Sequence, residues 1–123
     1  MKTNELQGAA LDWAVAKCEG YACQFDDEVS GAWLIPQEGY LHAEKPLSLM
    51  RYSTNWAQGG PIIERERLWL QPEIGKEGAG NAWYCVAMSA HDAYGETPLI
   101  AAMRCLVASK LGDEIEVPEG LHA

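Results

Sequence analysis

The densest cluster of interacting side chains lies in Tyr52-Ser-Thr-Asn-Trp-Ala-Gln58, where two aromatic rings, two aliphatic hydroxyls and two amides occupy seven consecutive positions. Rings that stack, together with polar groups that donate and accept, suit the holding of a peptide, a base or a sugar. Gly59-Gly60-Pro61 follows. These glycines can take positive φ and Pro61 biases Gly60 towards extended backbone, so the stretch reads as a turn that launches a strand. A plain loop packed by Tyr52 and Trp56 is the competing reading. The candidate ligand- or partner-binding set is Tyr52, Ser53, Thr54, Asn55, Trp56, Gln58, Gly59 and Gly60, with Glu64 and Arg104 as charged neighbours.

A catalytic reading needs more than this. Carboxylates two positions apart on a strand stand ~7 Å apart, at the lower end of the range for inverting glycoside hydrolysis, which brings Glu64 and Glu66 into view. Charged pairs on a solvated sheet face are far commoner, and cross-strand partners for Arg65 and Arg67 would account for all four charges. His91-Asp92 lies close to Ser89. Adjacent residues on an extended chain point apart, however, and no G-x-S-x-G elbow is present. Cys85 has no activating cation nearby in sequence. No catalytic residue is assigned; the enzyme alternative is a small hydrolase acting on a small or nucleotide-like substrate through Glu64 or Glu66 with Arg104 or His91.

The elements that must position these residues are legible to different degrees. Leu6, Ala9, Ala10, Trp13 and Ala14 recur at helical spacing, which predicts a helix over Asn4–Glu19, stopped by Gly20. Glu5, Asp12 and Glu19 repeat every seven residues and should form one wet edge on an otherwise covered cylinder. Thr97-Pro98 supplies a hydroxyl cap and a proline at the first helical position, predicting a helix over Pro98–Leu111 that Gly112 ends. Its large residues and its alanines lie on opposite sides, so both sides can pack. Arg104, at the border, would need a carboxylate or carbonyl partner if covered.

Strand character appears over Ser30–Ile35, Pro61–Leu70 and Ala82–Ser89. In the middle segment Glu64 and Glu66 would share one face, and Arg65 and Arg67 the other. Asp26–Glu28, Pro36–Pro46 and Pro72–Asn81 read as exposed connections, the last with Gly75, Gly78 and Gly80 and expected to be mobile. After Gly112 an acidic tail alternates acids with aliphatics, as an edge strand or a loose end.

The totals bound the function class. A chain of 123 residues suits one domain, and 48% apolar against 22% charged residues argues for a folded one. A net charge of −9 opposes direct nucleic-acid binding. The longest apolar run, Ala82–Met88, is far shorter than the ~20 residues of a membrane helix, so no membrane association is expected. Cys18, Cys23, Cys85 and Cys105 form no C-x-x-C pair and have three histidines to join them, so zinc is not expected and reduced thiols are favoured. No P-loop, dinucleotide fingerprint or metal-ligand series occurs, and no cofactor is expected.

Three blocks, Leu11–Gly20, Tyr52–Glu66 and Thr97–Glu114, resemble the NinX family of small bacteriophage and prophage proteins, in the right order and across nearly the whole chain. The resemblance implies a protein made in the bacterial cytoplasm, with no established reaction or catalytic residues to carry over. It also implies an aspartate at many positions equivalent to Asn55. An amide there would disable a base or a metal ligand.

The expectation is therefore an α+β protein: a small, mainly antiparallel sheet with the N-terminal and C-terminal helices packed on one face, in a single domain over residues 1–123 with a tail over 113–123. As a function, the sequence favours a small acidic phage accessory module that binds a host or phage protein, or a small ligand. Homodimerisation is left open by five tryptophans and a nearly all-apolar first helix.

Overall fold

The structure, a computed structural model, describes residues 1–26, 31–37, 45–73, 82–118 and 121. Among the described residues three α-helices and six strands are arranged in chain order: α1 (Gly8–Cys18), β1 (Tyr21–Asp26), β2 (Gly31–Pro36), β3 (Lys45–Pro46), α2 (Trp56–Glu66), β4 (Trp69–Pro72), β5 (Trp83–Val86), β6 (Asp92–Gly95) and α3 (Pro98–Leu111). The α+β class is as expected. Instead of one sheet there are two, each antiparallel and three-stranded, in the orders β1-β2-β3 and β4-β5-β6.

α3 forms as its capping residues dictate. Thr97 Oγ1 accepts the Ile100 N–H at 3.1 Å, Pro98 opens the helix, and Gly112 leaves it at φ 99°. Both of its sides are covered: it packs on β4, β5 and β6 and also touches α1 and α2. Gly95 is what lets β6 approach it, because a Cβ there would collide with the backbone of Ala101.

α1 is shorter than its periodicity predicts. A separate 3-10 turn, Thr3–Glu5, precedes it, and Gly8 at φ 57° divides the two. From Ala10 to Ala16 every residue is buried, Asp12 included. The wet edge predicted through Asp12 is therefore absent, because the chain at Tyr52–Ser53 lies over it.

The largest correction concerns the segment Pro61–Leu70, predicted as a strand. Its first half belongs to α2, and only Trp69–Pro72 is extended. Asn55 accepts the Ala57 N–H and caps the helix, while Arg67 at φ 53° closes it with Arg67 N–H to Glu64 O and Leu68 N–H to Ile63 O. Pro61 sits inside the helix. The pre-proline clash that ends most helices involves the preceding Cβ, which Gly60 lacks. The predicted Gly-Gly-Pro turn is thus a helical passage, with Ile62 2% exposed and facing the core. On a helix Glu64 and Glu66 are about 200° apart, so the shared face assigned to them does not exist.

The segment after α3 is tied to the start of the chain. Thr3 N–H donates to Asp113 O at 2.8 Å, Thr3 Oγ1 to Gly112 O at 2.7 Å, and Ile115 N–H to Met1 O at 2.9 Å; Val117 is buried. Of the predicted connections Asp26–Glu28, Pro36–Pro46 and Pro72–Asn81, the ends Asp26, Pro36, Lys45–Pro46 and Pro72 belong to strands, and 27–28, 38–44 and 74–81, with Gly75, Gly78 and Gly80, lie outside the described residues, as do 29, 30, 119, 120, 122 and 123.

Candidate functional site

The predicted cluster is divided between roles by its position at the head of α2. Tyr52 and Ser53 are buried at 5% and 2% exposure, whereas Thr54 is exposed and Trp56 keeps 55% of its surface open. Ser53 N–H donates to Asp12 Oδ1 at 2.9 Å. Ser53 Oγ is buried close to the same carboxyl yet lacks a partner in hydrogen-bond geometry among the described residues. Burial raises Asp12 above the ordinary carboxylate value, and the Ser53 N–H bond only partly offsets it. Tyr52 is likewise pushed up, chiefly by burial.

The amides are structural. Asn55 Oδ1 takes the Ala57 N–H at 2.8 Å, and Gln58 spans the loop, accepting the Arg51 N–H at 2.6 Å and donating to Leu49 O at 3.0 Å. Gly59 is where α2 meets α3: a Cβ there would stand 2.5 Å from Leu99 Cδ1 and from Tyr52 O. Gly60 has open space, its nearest neighbour being the Trp56 ring at 4.0 Å. Of the predicted set, Thr54, Asn55, Trp56 and Glu64 are exposed, with Leu49, 61% exposed, on the segment that Gln58 holds.

Glu64 is exposed on α2. The charges around it serve helix docking: Arg65 donates from both terminal nitrogens to Glu19 at 2.9 and 2.6 Å, and Glu66 takes Lys110 Nζ at 2.7 Å and Arg65 Nε at 3.3 Å. Lys110 and Arg65 hold Glu66 below the usual carboxylate range. Arg104 is removed from this group. Its Nε donates to Leu6 O at 2.7 Å and its Nη1 to Tyr94 O at 2.9 Å, and burial lowers its pKa. The carbonyl partner predicted for a covered Arg104 is found, twice over.

The remaining chemical candidates separate in the same way. His91 Nδ1 lies 2.9 Å from Ser89 Oγ, which meets Ser109 Oγ at 2.9 Å, while Asp92 accepts the Tyr84 hydroxyl at 3.0 Å. Histidine and aspartate thus point to different partners, and no triad forms. The four cysteines are free thiols. Cys85, fully buried, is held well up by its hydrogen bond with Cys105 and by burial, the opposite of an activated nucleophile. Among the described residues no three His, Cys, Asp or Glu side chains gather to hold a metal.

Sequence reasoning missed Asp12. Its signal was a lone acid among alanines, leucine and tryptophan on a helix with little polar surface; a carboxylate so placed is either wet or bonded to the chain that covers it.

A small acidic α+β protein, with a loop at the head of α2 held by backbone and side-chain hydrogen bonds, is the class that the described residues define. The chain belongs to the bacteriophage P22 NinX family, whose model matches residues 2–110. No curated protein matches the chain. No helix among the described residues is long and apolar enough to cross a membrane.

Proposed function

We propose that this phage accessory protein is a binding module of the bacterial cytoplasm that engages a partner protein through the head of α2, with Trp56 as the anchor. The observation that carries the reading is a large ring left 55% exposed on a segment that is otherwise fixed in place. Asn55, Gln58 and the Asp12–Ser53 bond immobilise the chain around it, so a partner meets a pre-ordered surface and little ordering entropy is lost on docking. Buried tryptophan anchors are among the side chains that dominate interface energetics.

The polar residues first assigned to ligand contact support this role indirectly, by holding the loop. The proposed surface does not draw on Glu64, exposed further along α2, or on Arg104, held by the carbonyls of Leu6 and Tyr94. The hydrolase alternative has no comparable support, since Glu66 and Arg104 are occupied by ion pairs and carbonyls.

The test is affinity capture from phage-infected bacteria with the native chain, Trp56→Ala and Trp56→Glu, each checked for folding by circular dichroism. A partner retained by the native chain and lost by both variants is the expected result. An unchanged set of captured proteins would remove Trp56 as the anchor.

A further inference from the structure

A second surface of different chemistry lies on the other side of the molecule's second sheet. Strand alternation and register put Leu70, Cys85 and Ala93 on the face covered by α3, and Trp69, Val86 and Asp92, followed by Gln71, Tyr84 and Tyr94, on the opposite face. That outer face is open. Trp69 is 67% exposed and Tyr94 38%, and the Tyr84 and Tyr94 rings lie 4.9 Å apart at 44°. Among the strand residues on this face the one charge is Asp92, whose carboxylate takes the Tyr84 hydroxyl at 3.0 Å and so stands at the edge of the ring pair.

Alongside Tyr94 the face runs into a cleft of about 270 Å³ between β6, the first residues and the end of α3. Asp92 and Asp113 line it, against one cation, Lys2. Asn4 Oδ1 accepts the Tyr94 N–H at 3.0 Å and fixes the rim.

We propose that this face and cleft receive an arginine-bearing extended segment of a partner protein, with the guanidinium stacked on the tyrosine pair against Asp92 and a neighbouring apolar residue on Trp69. A guanidinium is planar, stacks on aromatic rings and pairs with a carboxylate through the same edge geometry, whereas an ammonium offers a point charge with a stronger hydration shell. Three-stranded faces lined by rings suit extended peptide, which brings preformed backbone and alternate side chains to the surface. The net charge of −9 steers a basic segment towards the molecule and repels nucleic acid. It also disfavours a second copy, because the strand residues of the face offer one acid and no base to their own image. This surface is separate from the head of α2, and the outcome at either leaves the other standing.

The experiment titrates the full chain with a synthetic peptide of alternating arginine and proline, about eight residues long, following backbone amide shifts at about 0.15 M salt. Saturable binding with shifts centred on Trp69, Tyr84 and Tyr94 is expected. Asp92→Asn and Trp69→Ala, both at exposed side chains, should each weaken it about tenfold. The lysine-proline peptide of equal length should bind about fivefold more weakly or worse, while Glu64→Gln, which removes the same charge elsewhere, should leave the affinity within about twofold.

Three results would overturn the proposal. One is no saturable binding. Another is equal affinity for both peptides with no effect of Asp92→Asn or Trp69→Ala, which would mark general attraction to an acidic surface. The third is self-association in sedimentation that Trp69→Lys abolishes, which would give the face to a second copy.

Discussion

Asp12 is the residue on which the Tyr52–Ser53 segment hangs, and its carboxylate supports that segment at a cost. Its folded pKa lies above the ordinary 3.8, so the folded state binds more protons than the unfolded one between that value and the raised one. Ionised Asp12 therefore lowers stability at neutral pH, and this loss is relieved as pH falls through the raised value. Asp12→Asn should remove that dependence while its amide oxygen still accepts the Ser53 N–H; Asp12→Ala should cost about 1–3 kcal/mol by leaving the N–H unpaired. Urea melts of the three proteins across the acid range check both, the wild-type-minus-Asn difference isolating Asp12 from the paired Glu66. Asn55 gives a second prediction. Its task is to cap α2, which an aspartate performs equally well and with a favourable charge at the positive end of the helix, so Asn55→Asp should gain about 0.3–1 kcal/mol at neutral pH in thermal melts. An exchange of amide for acid at this position is thus explained by capping, without chemistry.

At the scale of elements, α2 tests the argument most sharply. Gly59→Ala should destabilise by about 1–3 kcal/mol, because the new methyl group meets Leu99 and the Tyr52 carbonyl and one of them must move. Pro61→Ala should stabilise by about 1 kcal/mol or more, since Pro61 is exposed, interrupts the helix and blocks one of its hydrogen bonds. Equilibrium denaturation of the two single variants reads both. The same element shows what the sequence could and could not disclose. α3 was legible to the residue because its ends carry local chemistry, a threonine cap, a proline and a glycine. α2 has a cap too, but Gly59-Gly60-Pro61 carries the strongest local signal against a helix, and tertiary packing of Gly59 and Ile62 overrides it. β4, β1 and β6 are short strands paired across loops, information that periodicity over four to six residues does not hold. Composition could not tell that the loop's amides bond the backbone, Asn55 at Ala57 and Gln58 at Arg51 and Leu49, nor that Asp12, 41 residues away, takes the Ser53 N–H.

At the scale of the whole molecule the charge balance dominates. A body carrying −9 repels itself, and two of its nine lysines and arginines are paired at the helix junctions, Arg65 with Glu19 and Lys110 with Glu66. Raising salt from about 0.01 to about 0.1 M shortens the screening length from ~30 to ~10 Å, which relieves the long-range repulsion more than it weakens contact pairs. The melting temperature should therefore rise over that range; a fall would mean that the ion pairs outweigh the repulsion. The position of α3 has a consequence for how the chain is made. It is the wall against which α1, α2 and the second sheet are all laid, and it is the last of the helices to be synthesised. Until residues 98–111 leave the ribosome, at ~5–20 residues per second, α1, α2 and the second sheet lack the helix they share, although α1 already meets β1 and the strands can pair. For several seconds the alanine-rich first helix is covered by β1 and the turn at Leu47–Leu49, and the side that α3 will cover stays open while the chain grows.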